Sequence, residues 1–454
     1  MTAEKNDGLK LRERRRSFNT LVTLAIPVIL EEILTTLLQY VDTAMVGHLG
    51  AEATASVSLT TTVNWLIGSI FSAIGVAVVA IISSAYGAGD NNKVRRVSSQ
   101  VVNYTVISGL AVTALAVGLS PVIPVWMQAD VSIRRQASAY FCIISIPILF
   151  RAASIICACA LRAVKDTRTP MAVNLGANAL NVVLNYILIY RAGLGVTGAA
   201  VATAISSALC GIVMFILMRS NGILKSPLKP VMEKGILSET VQIGFPALAT
   251  SMVSCFGHIV FASLVASMGT TVFAAHSIAL AAETIFYLPG YGLRSATSTL
   301  IGISVGENNY DGFRTVMRQS VILTVAMMAF TGLILYLSAR QIMAIFTPDA
   351  EVIMLGSRVL RLIAVSEPLF GLMIVSEGIY YGMGQTRSPF IVTTIGSWGI
   401  RILSTVICIR VFHSTLFEIW ICMFADNAFR ALAMAIPLLC GRAGRYFENR
   451  RRSI

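Results

Sequence analysis

Charged residues are scarce in this sequence. Asp, Glu, Lys and Arg make up 13% of its 454 residues, whereas soluble domains carry roughly 25%. The apolar residues AVILMFWYC make up 56%. Because so few charged groups cannot cover a water-facing surface, the composition excludes an ordinary soluble protein and indicates a chain solvated by lipid.

Residues for metal or nucleotide chemistry are also few. The histidines are scattered, with no His-x-Glu or His-x-x-x-His pair, and no glycine-rich nucleotide loop is present; they are His48, His258, His276 and His413. The eight cysteines lie in apolar stretches with the spacing of neither a zinc site nor a disulfide framework. The sequence therefore does not favour an enzyme, and no cofactor is expected.

Long apolar stretches, by contrast, are abundant. About twelve of them have roughly 20 residues, the length that crosses a ~30 Å hydrocarbon core as a helix. They predict an all-α polytopic membrane protein with spans near 20–46, 54–86, 98–120, 136–161, 170–190, 196–218, 240–266, 272–304, 317–338, 355–381, 389–411 and 415–440.

The net charge of +13 is distributed unevenly over the loops. With the amino terminus inside, 24 of the 35 basic residues fall in cytoplasmic segments and seven on the outer side. This positive-inside asymmetry predicts that both termini are cytoplasmic. It also accounts for the basic balance without a nucleic-acid partner.

An ungapped shift of 219 residues aligns landmarks of the two halves. The matches concentrate in turns and helix ends, where glycine and proline fix the backbone, and include Gly50 with Gly269, Gly87 with Gly306 and Asp130 with Asp349. Each repeat holds six spans, an even number, so both halves enter the membrane in the same orientation and form parallel repeats. Two lobes related in this way favour a transporter with alternating access.

The repeat predicts five segments. They are a cytoplasmic basic amino terminus (1–19), an amino-terminal lobe (20–218), a cytoplasmic linker (219–239), a carboxy-terminal lobe (240–440) and a cytoplasmic basic tail (441–454). The predicted location is the cell membrane, inner or plasma, with multiple passes.

Polar residues within the spans are candidates for function, because a charge at membrane depth costs at least about 2.5 kcal/mol. In the first span Glu32, Thr35, Gln39 and Asp42 follow spacings of 3, 4 and 3, which places them on one helical face. That face must contact protein or water. Asp42 is interpreted as a working residue, with a structural hydrogen bond as the alternative, and Gln39 is assigned to substrate binding.

The eighth span carries a second polar stripe. Glu283, Tyr287, Tyr291 and Arg294 follow spacings of 4, 4 and 3 around a Pro-Gly break. Aromatic rings hold planar cations by cation–π contact, and an acid adds charge attraction, so the stripe is interpreted as a substrate-cavity lining. The alternative is an internal ion pair between Glu283 and Arg294 that only fixes packing.

Three further groups lie within spans. Asp426 and Arg430 are spaced i, i+4 and are interpreted as a structural pair. Glu367 is followed by a proline near the middle of the tenth span. Two interpretations of Glu367 are equally favoured, namely substrate or cation coupling and packing. The partners of Glu377, Arg151 and Arg401 are not indicated by the sequence.

Several motifs resemble those of the multidrug and toxic compound extrusion (MATE) family. They are Val41-Asp42-Thr43-Ala44-Met45-Val46-Gly47-His48-Leu49-Gly50, Lys165-Asp166-Thr167-Arg168-Thr169-Pro170, Gly195-Val196-Thr197-Gly198-Ala199-Ala200, Gly306-Glu307-Asn308 and Phe346-Thr347-Pro348-Asp349. The resemblance covers nearly the whole chain. It implies a V-shaped two-lobe fold and export of drugs or metabolites, often cationic, in exchange for inward sodium or protons.

The resemblance also implies a cation site in the amino-terminal lobe at Asp42, Asn181, Asn185 and Thr203. Many relatives carry aspartate at the position of Asn185, so this site has one carboxylate instead of two. Na⁺ prefers several oxygen ligands, which the four side chains could supply. A proton needs only one carboxylate, for which Asp42 suffices. Asp42 itself corresponds by the repeat to Phe261, so an equivalent carboxy-lobe cation site is not expected.

The predicted function is secondary antiport of small organic, cationic amphipathic compounds against H⁺ or Na⁺. The alternative is a flippase for a lipid-linked saccharide or other amphiphile, whose cavity should be more strongly cationic. The expected partners are a small-molecule substrate, the coupling cation and the lipid bilayer, and the chain is expected to be a monomer.

Overall fold

The fold consists almost entirely of long helices. The computed structural model describes residues 2–227, 232–412, 414–442, 444 and 446–448. In this part of the chain eleven helices are long and apolar enough to cross a membrane, and one bent pair supplies a twelfth. The predicted all-α, twelve-span architecture is confirmed. Lys229 of the predicted linker, and Arg445 and residues 450–452 of the predicted tail, lie outside the described residues.

The first half contains eight helices and one π-helical segment: α1 (Thr2–Gly47), α2 (Ala51–Gly87), α3 (Asn91–Leu119), α4 (Ile123–Trp126), α5 (Val131–Ser145), α6 (Ile148–Ala163), α7 (Arg168–Asn185), π1 (Tyr186–Arg191) and α8 (Gly195–Ser220). The second half contains α9 (Lys234–Ala266), α10 (Thr270–Gly306), α11 (Tyr310–Phe346), α12 (Ala350–Gly382), α13 (Arg387–Thr394), π2 (Ile395–Ile402), α14 (Leu403–Arg410), α15 (Leu416–Pro437) and π3 (Leu438–Arg442).

The helix ends repeat with the same 219-residue shift as the sequence. For example, the shift relates both ends of α2 to both ends of α10. It also relates the start of α3 to the start of α11. The cause is local. Gly50 and Gly269 precede α2 and α10 with φ of 108° and 121°, which glycine adopts at least cost. Asp130 and Asp349 cap α5 and α12 by accepting backbone N–H bonds at 2.8 and 2.9 Å.

The fourth predicted span is bent. α5 and α6 meet at an angle of 49° around Pro147, whereas the corresponding α12 is a continuous helix. Proline has no N–H to donate and its ring clashes with the carbonyl four residues earlier, which permits a break here, although α12 contains Pro368 without one. The span therefore runs as two helices instead of the single helix predicted at 136–161.

Packing divides the chain into two compact units, an N unit (Leu30–Leu248) and a C unit (Met1–Ile29 with Ala249–Ile454). Both divisions fall inside helices, α1 and α9, and differ from the predicted lobe limits of 20–218 and 240–440. The side chains explain the difference: Leu21 and Leu24 of α1 lie in a C-unit core with Leu293, and Ile236 of α9 lies in the N-unit core.

Each unit has its own apolar core. The N-unit core surrounds Phe71 and Phe141, which are fully buried. The C unit has one core around Phe313 and Tyr380 and another around Trp420 and Phe261. Polar side chains that interrupt these cores are the candidates for a functional site.

Candidate cation site and buried charges

The four residues assigned to a cation site lie together in the N unit. Asn185, the last residue of α7, is fully buried and donates its amide N–H groups to Asp42 of α1 and, at 3.2 Å, to the Oδ1 atom of Asn181. Asn181 donates at 3.3 Å to the Oγ1 atom of Thr203 on α8. Three helices thus contribute to one continuous hydrogen-bonded cluster, which we call the Asp42 cluster.

The Asp42 cluster has the donor atoms that a hard cation prefers. It combines one carboxylate with amide and hydroxyl oxygens, and the Oδ1 atom of Asn185 is buried without a hydrogen-bond partner in the described structure. The π1 segment follows Asn185 directly, and π-helical turns occur frequently at functional sites. Asp42 is the single acid among the four residues of the cluster.

The Asp42 cluster continues along α1 and α7 as a polar ladder. Asn174, Asn178, Asn181 and Asn185 share one face of α7, since their spacings are 4, 3 and 4. Asn178 donates to Thr35 at 3.0 Å, and Asn174 donates to Glu31 at 2.5 Å. By the helical rise, Glu31 lies about 16 Å from Asp42 along α1. The regular spacing of four asparagines in an apolar span is the sequence signal that could have revealed this ladder.

The ladder ends in an ion pair at Glu31, on the side nearer the amino terminus of α1. One guanidinium nitrogen of Arg162 lies 2.7 and 2.8 Å from the two carboxylate oxygens of Glu31. Glu31 was not among the residues predicted for the polar face of α1, and the predicted Glu32 interacts electrostatically with the same Arg162. Gln39, which was assigned to substrate, is an exposed residue of α1.

The predicted stripe of α10 has different ion-pair partners from those expected. Arg294 pairs with Glu377 of α12 at 2.7 Å, so the alternative of an internal pair with Glu283 is wrong. The Arg294 guanidinium also lies 4.7 Å from the centre of the Tyr291 ring. Tyr287 packs edge to face on Tyr291 at 5.7 Å and on Phe370 at 5.5 Å. The partner on α12 is closer because α10 and α12 pack side by side along much of their length.

Glu283 and Glu367 are both buried in the C unit, at 7% and 1% exposure. Electrostatic interactions join Glu283 to Glu367 and to Arg401. Neither carboxyl oxygen of Glu367 has a hydrogen-bond partner among the described residues. Buried polar atoms are normally hydrogen-bonded, so the Glu367 carboxyl is an exception and a candidate for function.

The structural pair predicted in the last span is confirmed. Asp426 is fully buried and contacts Arg430 at 2.7 Å. The sequence could not assign a partner to Arg401, whose side chain reaches from π2 to Asp426 at 2.9 Å. Arg151, likewise unassigned, donates to the side chain of Asn64 at 3.4 Å.

Twelve apolar spans in a duplicated scaffold, with acids and amides buried at membrane depth, define a multi-pass membrane transporter with two lobes. The family model MatE matches residues 27–187 and 246–407, once in each half. The chain therefore belongs to the MatE family, whose members are transporters and not enzymes.

Known proteins agree over nearly the whole length. "Probable multidrug resistance protein NorM" of Thermotoga maritima is 28% identical over 428 residues, which are 93% of this chain and 92% of the relative. "Multidrug resistance protein MdtK" of Edwardsiella ictaluri is 25% identical, covering 84% of this chain and 86% of its own. A crystal structure of a MATE protein in complex with MaL6 superposes with a TM-score of 0.89 at 20% identity, over 95% of this chain and 97% of that one.

Proposed function

We propose that the chain is a secondary antiporter of the cell membrane that exports small organic compounds in exchange for inward H⁺ or Na⁺. Its relatives include proteins named for multidrug resistance. The observation that carries the coupling part is the Asp42 cluster, a single carboxylate held by amides at membrane depth. Both termini are proposed to lie in the cytoplasm.

Coupling is proposed to depend on the charge of Asp42. Loading a proton or Na⁺ from outside neutralises the carboxylate and changes its hydrogen bond with Asn185. Cation and substrate drive exchange when they favour different conformations of the protein, because each then shifts the population that the other needs. The single carboxylate favours the proton.

Substrate contact is proposed for the aromatic and acidic residues of α10 and α12. Tyr287 and Tyr291 present ring faces and edges, and Glu283 and Glu367 supply buried acids nearby. Such a lining suits planar, cationic amphipathic compounds. Arg294 belongs to the same stripe, although its charge is compensated by Glu377. Gln39 is proposed as a further contact.

The flippase alternative is less well supported. A diphosphate requires cationic groups that are free to bind it. Of the arginines within spans, Arg294, Arg401 and Arg430 are paired with carboxylates, and Arg162 pairs with Glu31. The charges thus favour export of cations over transfer of a lipid diphosphate.

Transport in proteoliposomes with imposed pH or sodium gradients and a panel of fluorescent cations tests the function. We expect Asp42→Asn to fold and bind substrate but to lose gradient-driven export, because an amide keeps the shape and cannot titrate. Asp130→Asn is the matched control, since asparagine also caps a helix. Asn185→Asp should increase sodium dependence, because a second carboxylate favours a metal cation. Export by Asp42→Asn at the wild-type rate would remove this site from the mechanism.

A further inference from the structure

A cavity of about 520 Å³ opens on the C unit away from the residues discussed above. Its lining comes from α11, α12 and the start of α15, and includes Tyr336, Met354, Arg358, Arg361, Val365 and Phe417. Met354 and Val365 are 62% and 60% exposed. The cavity therefore combines two cationic side chains with an open apolar wall.

The two arginines are held by aromatic rings. Arg358 lies 4.7 Å from the centre of the Phe417 ring, and Arg361 lies 5.9 Å from that of Tyr336. Neither has a carboxylate oxygen within 4 Å in the described part of the chain. Glu418 interacts electrostatically with Arg358, and one of its carboxylate oxygens accepts the backbone N–H of Thr415 at 2.7 Å. The guanidiniums are thus positioned, while their N–H donors stay available.

The two guanidiniums lie near the boundary between lipid headgroups and hydrocarbon. α12 has 33 residues and is about 50 Å long, which exceeds a ~30 Å hydrocarbon core by about 10 Å at each end when the helix is centred. Arg358 is eight residues, about 12 Å, from the start of α12, and Arg361 is one turn deeper. By the same rise per residue, Met354 lies at headgroup depth and Val365 within the hydrocarbon, on either side of the pair of guanidiniums.

The duplicated scaffold does not require these side chains. The 219-residue shift relates Arg358, Arg361, Tyr336 and Phe417 to Ala139, Cys142, Val117 and Gly198 of the N unit. Neither the arginines nor their aromatic neighbours are retained there. A role in maintaining the common fold consequently does not explain them.

We propose that this cavity binds an anionic phospholipid, whose phosphate contacts Arg358 and Arg361 while its acyl chains lie along Val365. Basic pockets between membrane helices recognise such headgroups through charge-assisted hydrogen bonds. The exposed apolar side chain of Val365 at hydrocarbon depth selects a lipid over a free anion. This site is distinct from the proposed cation and substrate residues.

Native mass spectrometry of the full chain in detergent, titrated with phosphatidylglycerol or phosphatidylcholine, tests the proposal. We expect phosphatidylglycerol to be retained in preference, and Arg358→Gln/Arg361→Gln to bind it about 30-fold more weakly, since each arginine near an anionic surface contributes a factor of roughly five. Arg340→Gln/Arg410→Gln is the matched control. It removes two exposed arginines of the same unit outside the cavity and should bind as the wild type.

A second variant keeps the guanidiniums in place. Met354→Glu puts a carboxylate on the exposed wall and should also weaken phosphatidylglycerol binding, whereas Arg358→Lys/Arg361→Lys should retain part of it. Equal retention of the two lipids, undiminished binding by the double glutamine variant, or displacement of bound lipid by inorganic phosphate alone would each overturn the proposal.

Discussion

Asp426 is a single buried carboxylate that pairs with two arginines in a membrane helix bundle. Its carboxylate is fully buried between Arg401 and Arg430. Desolvating three ions is costly, so the arrangement is stable only while all partners remain. Gly396 permits the close approach, because a Cβ atom there would lie 2.3 Å from the Asp426 Oδ1 atom.

We expect Asp426→Asn to destabilise the protein strongly. Removing one partner of a buried ion pair costs about 3–5 kcal/mol, and here two arginines lose their carboxylate together. Glu418→Gln, an exposed acid-to-amide change on the same helix, is the control and should have little effect. Thermal unfolding followed by size-exclusion fluorescence measures both. A melting temperature of Asp426→Asn equal to that of the control would contradict this account of the triad.

Tyr287 tests the proposed substrate contacts one residue at a time. Because its ring is half-buried against Tyr291 and Phe370, Tyr287→Ala should fold and weaken export of planar cations by about 2- to 30-fold, the range of one cation–π contact. Tyr291→Ala should behave in the same way. Tyr287→Phe keeps the ring face and serves as the control. Failure of both alanine variants to fold would show that these rings are core and not cavity.

For single residues, the sequence predicted which side chains take part in polar sites better than it predicted their contact partners. Asp42, Asn181, Asn185 and Thr203 do lie together, as the resemblance to the MATE family implied. Glu31, which pairs with Arg162, was not among the residues predicted for the polar face of α1. The sequence suggested Glu283, on the same helix, as a possible ion-pair partner of Arg294. In the structure the packing of α10 on α12 brings Glu377 closer. Contacts between helices cannot be read from the periodicity of either one.

At the scale of elements, α6 and α8 form a close helix–helix contact in the N unit. α6 and α8 approach until a Cβ atom on Gly211 would lie 2.0 Å from the carbonyl oxygen of Phe150. The contact is with backbone, which cannot move aside as a side-chain tip does. Close approach of this kind, through small residues, is typical of helix association in membranes.

Gly211→Ala should therefore destabilise the N unit by about 1–3 kcal/mol or more, since a forced methyl group shifts α8 away from α6. Gly176→Ala is the control. It lies within α7 with no atom within 4 Å of the added Cβ, and alanine forms helix better than glycine, so its stability should be equal or higher. The two melting temperatures compare the cases directly. A Gly211→Ala protein as stable as Gly176→Ala would show that α6 and α8 are more loosely packed.

Elements that depend on local signals were predictable, and those that depend on strain were not. Gly50 and Asp130 mark helix starts in the sequence, and the structure begins α2 and α5 there. The π2 segment has no such marker, because it arises where α13, α14 and α15 pack with Arg401 buried against Asp426. The bend at Pro147 was foreseeable from the proline, yet many membrane helices tolerate one.

At the scale of the whole molecule, the two halves share one helical scaffold but differ in their buried polar residues. The shift that relates α2 to α10 places Phe261 at the position of Asp42. Phe261 is buried, with the Arg401 guanidinium 5.7 Å from its ring centre. The N unit thus has an acid among amides, while the C unit has buried acids and arginines on other helices. Duplication retained the helix ends, and the polar sites diverged.

The orientation of the chain gives the last prediction. The sequence places 24 basic residues on one side and seven on the other, which predicts cytoplasmic termini. Asn92 near the start of α3 and Glu351 near the start of α12 are exposed and lie on opposite predicted sides. In a transport-competent background without the eight native cysteines, a membrane-impermeant maleimide added to intact cells should label Glu351→Cys and not Asn92→Cys. Permeabilised cells, in which both positions should react, are the control. Labelling of Asn92→Cys in intact cells would reverse the orientation, and with it the proposed direction of cation loading at Asp42.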